Sequence, residues 1–206
     1  MESDMILHPE AWKFEALIDG LVERQFGLVD HFLPDDIVGG LRQNLLTLRE
    51  SGRMHPAGIG KHFSYQKNLK VRGDQISWIE KDSDNPFEKS FMLRINEFIN
   101  YLNHTCYTGI NDFEFHYAYY EEGSFYKRHL DQFKVDLGRK YSLVTYLNDD
   151  WQEDDGGKLT LYLDQQEIGV YPYGGRTIFF KSDEVEHEVH LASRPRMSIA
   201  GWLKRT

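Results

Sequence analysis

FEFHYAYY, residues 113–120, is the stretch at which the sequence changes from a helical to a strand-like period. Its aromatic residues favour strands, and further short runs of the same kind follow it. Turn signals such as Gly156-Gly157 and Gly174-Gly175 separate these runs, which are Lys140–Leu147, Leu159–Leu163, Thr177–Phe180, Glu186–Val189 and Arg196–Leu203. Many short strands joined by glycine-bearing turns predict a sandwich or jelly roll.

Ahead of this stretch, apolar residues recur at helical spacing. The pattern predicts helices from Pro9 to about Gln25, from Pro34 to Ser51 and from about Phe87 to Asn103, with a short strand, 26–32, after the first helix. The predicted packing stripes are Trp12, Leu17, Ile18, Leu21 and Val22 on the first helix, Ile37, Val38, Leu41, Leu45 and Leu48 on the second, and Phe87, Phe91, Ile95, Phe98 and Leu102 on the third. We therefore expect an α+β, mainly β chain that forms one domain over 1–206, with helical support in 1–110 and a β core in 111–206.

Composition narrows the class of protein. The chain has 206 residues, a formal net charge of -9 and one cysteine, Cys106. This charge argues against binding to duplex DNA, which depends on Lys and Arg neutralising phosphates. A lone cysteine excludes an internal disulfide, and nothing points to a thiolate zinc site. The N-terminus lacks a basic, then apolar leader, and no stretch is apolar enough for a membrane span, so we expect a cytoplasmic, monomeric protein.

The segment 58–74, GIGKHFSYQKNLKVRGD, is long, basic and glycine-bearing. Such a segment is either a solvated loop or a finger over a site, and its composition alone favours the plain loop.

His129-Leu130-Asp131 ends a strand-like run. On a strand, residues i and i+2 face the same side, so the imidazole and the carboxylate can bind one ion. The motif is common by chance and needs a third ligand. His187 or His190 could supply it, but not both, because residues three apart on a strand face opposite sides. Two histidines and one carboxylate are the ligand set of non-haem iron(II) oxygenases.

Arg196 opens the terminal strand RMSIAGWL, whose next same-face residues, Ser198 and Ala200, are small and leave room for a ligand. An inward arginine needs an anionic partner. A dicarboxylic cosubstrate could supply that partner, because a guanidinium grips a carboxylate with two hydrogen bonds. A surface arginine at a strand start is the simpler alternative.

Several separate motifs from Val71 to Trp202 resemble one family. They are VRGDQISWI at 71–79, YYEEGSFYKRHLD at 119–131, GRKYSLVTYLNDDW at 138–151, GGKLTLY at 156–162, FFKSDEVEHEV at 179–189 and RMSIAGW at 196–202. In order and spacing they resemble the prolyl hydroxylases that act on hypoxia-inducible factor. They are still more similar to the bacterial relatives that hydroxylate a proline of elongation factor Tu.

The resemblance implies a double-stranded β-helix, which is a jelly roll, supported by N-terminal helices. It implies iron(II) on His129, Asp131 and His187, with Arg196 and Tyr146 on the distal carboxylate of 2-oxoglutarate and Tyr119 and Tyr126 beside it. It also implies a peptide-binding surface with 58–74 as a closing finger. There Asp74 and Arg139 are expected to pair across the entrance, with Trp78 beneath them.

The implied reaction is hydroxylation of a prolyl residue in an accessible protein loop to 4-hydroxyproline, with elongation factor Tu as candidate substrate. Dioxygen and 2-oxoglutarate are consumed, succinate and CO2 are released, and L-ascorbate is the reductant. The alternatives are an oxygenase for a small molecule or nucleic acid, and a catalytically silent binding module. Ala200 and Lys181 depart from the family, in which threonine and tryptophan are frequent, and they bear on the cosubstrate pocket.

Overall fold

The computed structural model describes residues 9–58, 72–132 and 137–206. Its helices are α1 (Ala11–Arg24), α2 (Asp35–Glu50) and α3 (Pro86–Cys106), close to the predicted bounds. Helix α3 begins where it does because the Asn85 side chain accepts hydrogen bonds from the backbone N–H groups of Phe87 and Glu88. None of the helices in these ranges is both long and apolar enough to cross a bilayer.

The strands in the described residues follow the predicted runs closely and add short ones. They are β1 (Phe26–Val29), β2 (His55–Pro56), β3 (Asp74–Trp78), β4 (Asp112–Tyr120), β5 (Tyr126–His129), β6 (Arg139–Tyr146), β7 (Leu159–Tyr162), β8 (Glu167–Val170), β9 (Thr177–Lys181), β10 (Glu186–Val189) and β11 (Arg196–Lys204). The described pairings are all antiparallel. One sheet has the order β1-β9-β6-β11-β4-β3-β2 and the other β5-β10-β7-β8. The predicted mainly β class with a double-stranded β-helix is confirmed.

The helices cover the outer face of the larger sheet. Phe91, Phe98, Phe179 and Ile199 belong to the buried cluster on this face. A second cluster fills the space between the sheets and contains Tyr120, Tyr146, Leu161, Phe180 and Val189. Alternation along β11 sends Ile199 and Leu203 towards the helices and Arg196, Ser198 and Trp202 towards the inside. The inward residues of the larger sheet thereby form one wall of the site.

The predicted stripe of α1 was partly wrong. Trp12 and Val22 are exposed, whereas Phe14 and Leu17 are buried. The reason is a close contact with β1, where a Cβ on Gly27 would lie 2.0 Å from the Leu17 carbonyl oxygen. This contact fixes which face of α1 turns inward.

Two predictions on organisation stay predictions. Most of the finger predicted over 58–74 lies outside the described residues. Only Gly58 and residues 72–74 of this segment are described. That residues 1–206 form a single domain is likewise an expectation from length and composition.

Candidate active site

Three candidate metal ligands meet between the sheets. His129 ends β5, Asp131 follows two residues later, and His187 lies opposite His129 on the neighbouring strand β10. The Nε2 atoms of His129 and His187 are 3.6 and 3.5 Å from the Asp131 carboxylate oxygens, and the three donor atoms lie within 4.8 Å of one another. His190 is outside the group, with its Nε2 at 2.8 Å from the Thr160 hydroxyl. The structure therefore favours His187 over His190.

Backbone carbonyls orient both imidazoles. The Nδ1 atom of His129 lies 2.7 Å from the Lys127 carbonyl oxygen, and that of His187 lies 3.2 Å from the Val185 carbonyl oxygen. A carbonyl oxygen accepts hydrogen bonds but cannot donate one. In each imidazole Nδ1 therefore carries the hydrogen, and Nε2 keeps a lone pair for a metal. The Tyr126 ring stacks on His129 at 3.6 Å and holds that imidazole from behind.

The charges of this group suit metal binding. Burial lowers the pKa of His187 to about 4, against the opposing effect of Asp131, so this imidazole is neutral at ordinary pH. Burial alone would raise the pKa of Asp131, but the two histidines and the Ser142 hydroxyl outweigh it and hold that pKa well below its usual range. A carboxylate on Asp131 and a neutral imidazole on His187 are the forms that bind a metal ion.

Arg196 is a buried cation at the other end of the site. It is 2% exposed, and its Nε donates to the Gly157 carbonyl oxygen at 3.0 Å. Its guanidinium carbon lies 5.2 Å from the Tyr120 ring and 5.0 Å from the Tyr146 ring. Within 9–58, 72–132 and 137–206, no carboxylate pairs with Arg196. A buried arginine without an anion is costly, so this geometry indicates an anion-binding end.

Tyr146 supports the same reading. It is fully buried, and its hydroxyl has no hydrogen-bond partner in the described part of the chain. Burial raises its pKa, although Arg196 opposes the shift, so the hydroxyl stays protonated and can donate. Arg196 and Tyr146 thus lie close together, and their shared role towards one carboxylate stays a prediction.

Tyr119 is not where the motif match put it. It pairs with Met197 on β11, packs in the cluster under the helices, and lies 4.4 Å from the Arg49 guanidinium. Tyr120, one residue later, faces the inside beside Arg196. Neighbouring residues on a strand face opposite sides. A motif match that is wrong by one residue before Tyr126 therefore places the wrong one of the two tyrosines in the pocket. Tyr120 thus takes the place predicted for Tyr119.

The predicted pair at the entrance was also wrong. Both carboxylate oxygens of Asp74 are held by Arg72, at 2.7 and 2.5 Å. Arg139 instead donates to Glu114 at 2.9 and 2.7 Å and lies 3.4 Å from the Trp202 ring. Each charged side chain pairs with another side chain, Asp74 with that of Arg72 and Arg139 with that of Glu114 on β4, and the two do not pair across the entrance.

Trp78 lies beside His116 and Trp202, not beneath an Asp74–Arg139 pair. His116 was missed by the sequence reasoning, as were Tyr120 and Ser142. Strand parity could have identified them in the sequence. Residues 116, 118 and 120 share one face of β4, and residues 142, 144 and 146 share one face of β6.

One cavity joins these parts. Its volume is about 140 Å³, and it is lined by the three candidate ligands, Arg196, Tyr120 and Tyr126, together with Trp78, His116, Arg139 and Trp202. A candidate metal group, an anion-binding end and an aromatic mouth thus share one space.

Comparison with known proteins agrees with this geometry. The family described as the 2OG-Fe(II) oxygenase superfamily matches residues 115–204. A Pseudomonas putida prolyl-4-hydroxylase shares 36% identity at a TM-score of 0.84, over 94% of this chain and 99% of that one. The chain belongs to the 2OG-Fe(II) oxygenase superfamily.

Within that superfamily the oxygenase is of the prolyl hydroxylase type. A Trichoplax adhaerens prolyl hydroxylase, solved with a peptide fragment of hypoxia-inducible factor, shares 26% identity at a TM-score of 0.85, over 99% of this chain and 94% of that one. Mouse Egl nine homolog 1 is 27% identical over 85% of this chain. The oxygenase spans 45% of that relative's length. It spans 86% of mouse Prolyl hydroxylase EGLN3, at 25% identity over 96% of this chain.

Proposed function

We propose that this enzyme hydroxylates a prolyl residue of a protein substrate, using iron(II), dioxygen and 2-oxoglutarate. The observation that carries the proposal is the cavity shared by two features: the His129, Asp131 and His187 donor group, and a buried Arg196 with no carboxylate partner in the described residues. An enzyme that binds a metal and a dicarboxylic oxo acid together needs both features in one space.

Iron(II) is the proposed metal, held by His129, Asp131 and His187. Two imidazoles and one carboxylate leave positions for a chelating oxo acid and dioxygen. When bound, iron with dioxygen and 2-oxoglutarate supplies the conversion of an unactivated C–H bond to an alcohol, with succinate and CO2 as the other products. L-Ascorbate is the proposed reductant that keeps the iron ferrous.

The protein's own residues bind and orient the reactants. Arg196 would grip the distal carboxylate of 2-oxoglutarate with its guanidinium fork, and Tyr146 would donate its hydroxyl to the same carboxylate. Tyr120 closes this end with its ring, and Tyr126 braces His129. These groups fix the oxo acid between Arg196 and the metal and exclude water from it.

The proposed substrate is a prolyl residue in an accessible protein loop, converted to 4-hydroxyproline. A relative named prolyl-4-hydroxylase and another bound to a peptide support this class. Trp78, which is 48% exposed at the cavity, and Trp202 offer apolar surface to a proline ring. Arg139 supports Trp202 from behind, whereas buried Asp74 would act through Arg72. Elongation factor Tu is the candidate substrate protein. The enzyme is proposed to act on it as a monomer in the cytoplasm.

Incubation of elongation factor Tu with the enzyme, iron(II), ascorbate and 2-oxoglutarate tests the proposal. Mass spectrometry should find one added oxygen atom on a proline, with one succinate released per hydroxylation. His187→Ala should abolish both products, while His190→Ala, its matched control, should keep most of the activity. Loss of activity in the His190 variant alone would overturn the ligand assignment. An unmodified factor would exclude this partner, and succinate released only with small molecules would exclude a protein substrate.

A further inference from the structure

His116 is a buried histidine in the wall of the cavity that the proposed mechanism leaves unused. It is 5% exposed and lies on β4 between two tryptophans, with ring centroids 5.0 Å from Trp78 and 5.5 Å from Trp202. Both tryptophans also line the cavity. The imidazole is therefore the polar member of an aromatic group at the mouth of the site.

Neither His116 nor Trp202 has its hydrogen bonds satisfied by the described residues. The Nδ1 atom of His116 and the Nε1 atom of Trp202 are buried, and neither has a partner in 9–58, 72–132 or 137–206. Burial first, and then Arg72 and Arg139, lower the pKa of His116 to about 4, although Asp74 and Asp131 oppose them. The neutral ring has one N–H donor, and the indole is a donor only. A buried polar atom without a partner destabilises the protein unless a ligand supplies that partner.

The position of His116 favours the substrate over the cosubstrate as that ligand. Along β4, Tyr120 pairs with Arg196 at the anion-binding end, and His116 pairs with Ala200. Four residues of strand separate the two rows by about 13 Å. The carbon chain of 2-oxoglutarate spans at most about 6 Å, since it has four C–C bonds of about 1.5 Å. His116 instead contacts Trp78, the half-exposed tryptophan of the mouth.

A prolyl segment has the complementary polar groups. Proline has no backbone N–H, so the target residue itself offers only a carbonyl oxygen, which accepts hydrogen bonds. The Trp202 indole N–H and the single N–H of a neutral His116 ring are two neighbouring donors that match such a residue. A substrate rich in exposed donors would leave them unpaired.

We propose that His116 is a substrate-binding residue that donates a ring N–H to a main-chain carbonyl oxygen at or next to the target proline, beside a similar bond from Trp202. This assignment rests on the proposed prolyl function and deepens it. The mouth of the site would then bind main-chain carbonyl oxygens by hydrogen bonds as well as a proline ring by apolar contact.

The test compares His116→Met, which keeps the volume and loses the donor, with His116→Gln, which restores an N–H donor. The first readout is melting of the protein without ligands and needs no substrate. His116→Met should melt about 2–4 °C above the wild type, because it removes an unsatisfied buried polar group. His190→Met is the matched control and should melt lower, because His190 has a partner in Thr160.

The second readout is binding of elongation factor Tu, or of a proline homopolymer as a neutral probe, to the enzyme loaded with manganese(II) and 2-oxoglutarate. His116→Met should weaken this binding about three- to tenfold, while the 2-oxoglutarate needed for half-saturation moves less than about twofold. His116→Gln should recover most of the affinity for the probe.

Three results would overturn the assignment. One is a lower melting temperature in His116→Met, which would make the imidazole a structural part of the aromatic group. The others are a change in 2-oxoglutarate binding alone and undiminished probe binding. If the wild type binds neither probe, the proposed prolyl function fails instead. In that case a higher melting temperature in His116→Met would still support a ligand-facing imidazole.

Discussion

The Asp131 carboxylate is held by the buried Ser142 hydroxyl, which in turn contacts a second buried serine, Ser182. The Ser142 hydroxyl donates to Asp131 Oδ2 at 2.7 Å, and its oxygen lies 2.9 Å from the Ser182 hydroxyl. Both serines are almost completely buried. Because the carboxylate can rotate about its side-chain bonds, this pair fixes the plane in which Asp131 meets a metal.

Ser142→Ala should therefore weaken metal binding. Loss of a hydrogen bond to a metal ligand typically lowers metal affinity about tenfold or more. Titration of the ligand-free enzyme with manganese(II), followed by electron paramagnetic resonance, measures this directly. Thr145→Val is the matched control, since Thr145 lies on the same strand as Ser142 but its hydroxyl contacts that of Thr177 on β9, at 2.8 Å, instead of Asp131. Equal manganese affinity in the Ser142 and Thr145 variants would remove Ser142 from this role.

His116 also makes stability depend on pH. Its pKa falls from 6.5 in the unfolded chain to about 4 in the fold, chiefly through burial. The unfolded state thus binds a proton that the folded state does not, and the free energy of unfolding falls as the pH drops through this window. One proton corresponds to a slope of about 1.4 kcal/mol per pH unit.

Urea unfolding at pH steps across that window measures the slope. His116→Met should lower the slope by the contribution of about one proton. The pH dependence of stability that remains should come largely from His187, whose pKa is also about 4. The same pH dependence in the wild type and His116→Met would show that His116 takes up its proton without unfolding.

At the scale of elements, the start of β3 is tied to β5, the strand that carries His129. The Gly73 N–H donates to the Phe125 carbonyl oxygen at 3.0 Å, and the Arg72 guanidinium lies 4.1 Å from the Tyr126 ring. Tyr126 in turn stacks on His129. Arg72 therefore links the start of β3 to the candidate metal ligand His129 through the Tyr126 ring.

Removal of Arg72 should be costly. The Asp74 side chain is fully buried, and Arg72→Met would leave its carboxylate without its partner, at about 3–5 kcal/mol of unfolding free energy. Adding Asp74→Asn should recover a large part of this loss, because the buried charge is then gone. The control is Lys89→Met, which breaks an exposed pair with Asp84 and should cost under about 1 kcal/mol. Similar losses in the two single variants, measured by urea unfolding, would contradict this account of Arg72.

The elements themselves were largely predictable from local patterns. The helical stripes of α2 and α3 and the longer strands depend on spacing along the chain, so their bounds agree to within a few residues. Strands β2, β3 and β8 were missed because they are short, with two, five and four residues, and each carries at most two large apolar side chains. The stripe of α1 failed because the Gly27 contact, which the helix pattern does not contain, decides its buried face.

At the scale of the whole molecule, the candidate site was predictable where motifs fix a residue and its face. Strand parity made His129, Asp131 and an inward Arg196 candidates, while the choice of His187 and the place of Tyr146 needed the family resemblance. The Asp74–Arg139 pair failed because ion pairing depends on neighbours distant in sequence, as Glu114 is for Arg139. His116 and Ser142 gain a role only when the sheet brings β3, β4, β6 and β11 together.

The two ends of the cavity should also act together on the stability of the whole protein. A ligand that binds only the folded state at a hundred times its dissociation constant adds about 2.7 kcal/mol, which for a chain of this length raises the melting temperature by about 5–10 °C. 2-Oxoglutarate with manganese(II) should give such a shift, because its oxo-acid end meets the metal group and its distal carboxylate meets Arg196.

Succinate lacks the oxo group and 2-oxobutyrate lacks the distal carboxylate, so each should raise the melting temperature of the manganese-loaded enzyme much less than 2-oxoglutarate does. Arg196→Lys keeps the charge but loses the planar fork, so it should weaken 2-oxoglutarate about ten- to a hundredfold and leave 2-oxobutyrate nearly unchanged. The control is Arg194→Lys, two residues earlier and partly exposed beside Asp155. If 2-oxobutyrate stabilises the wild type as much as 2-oxoglutarate does, Arg196 does not bind the distal carboxylate. The buried guanidinium would then need another anion to account for its place in the fold.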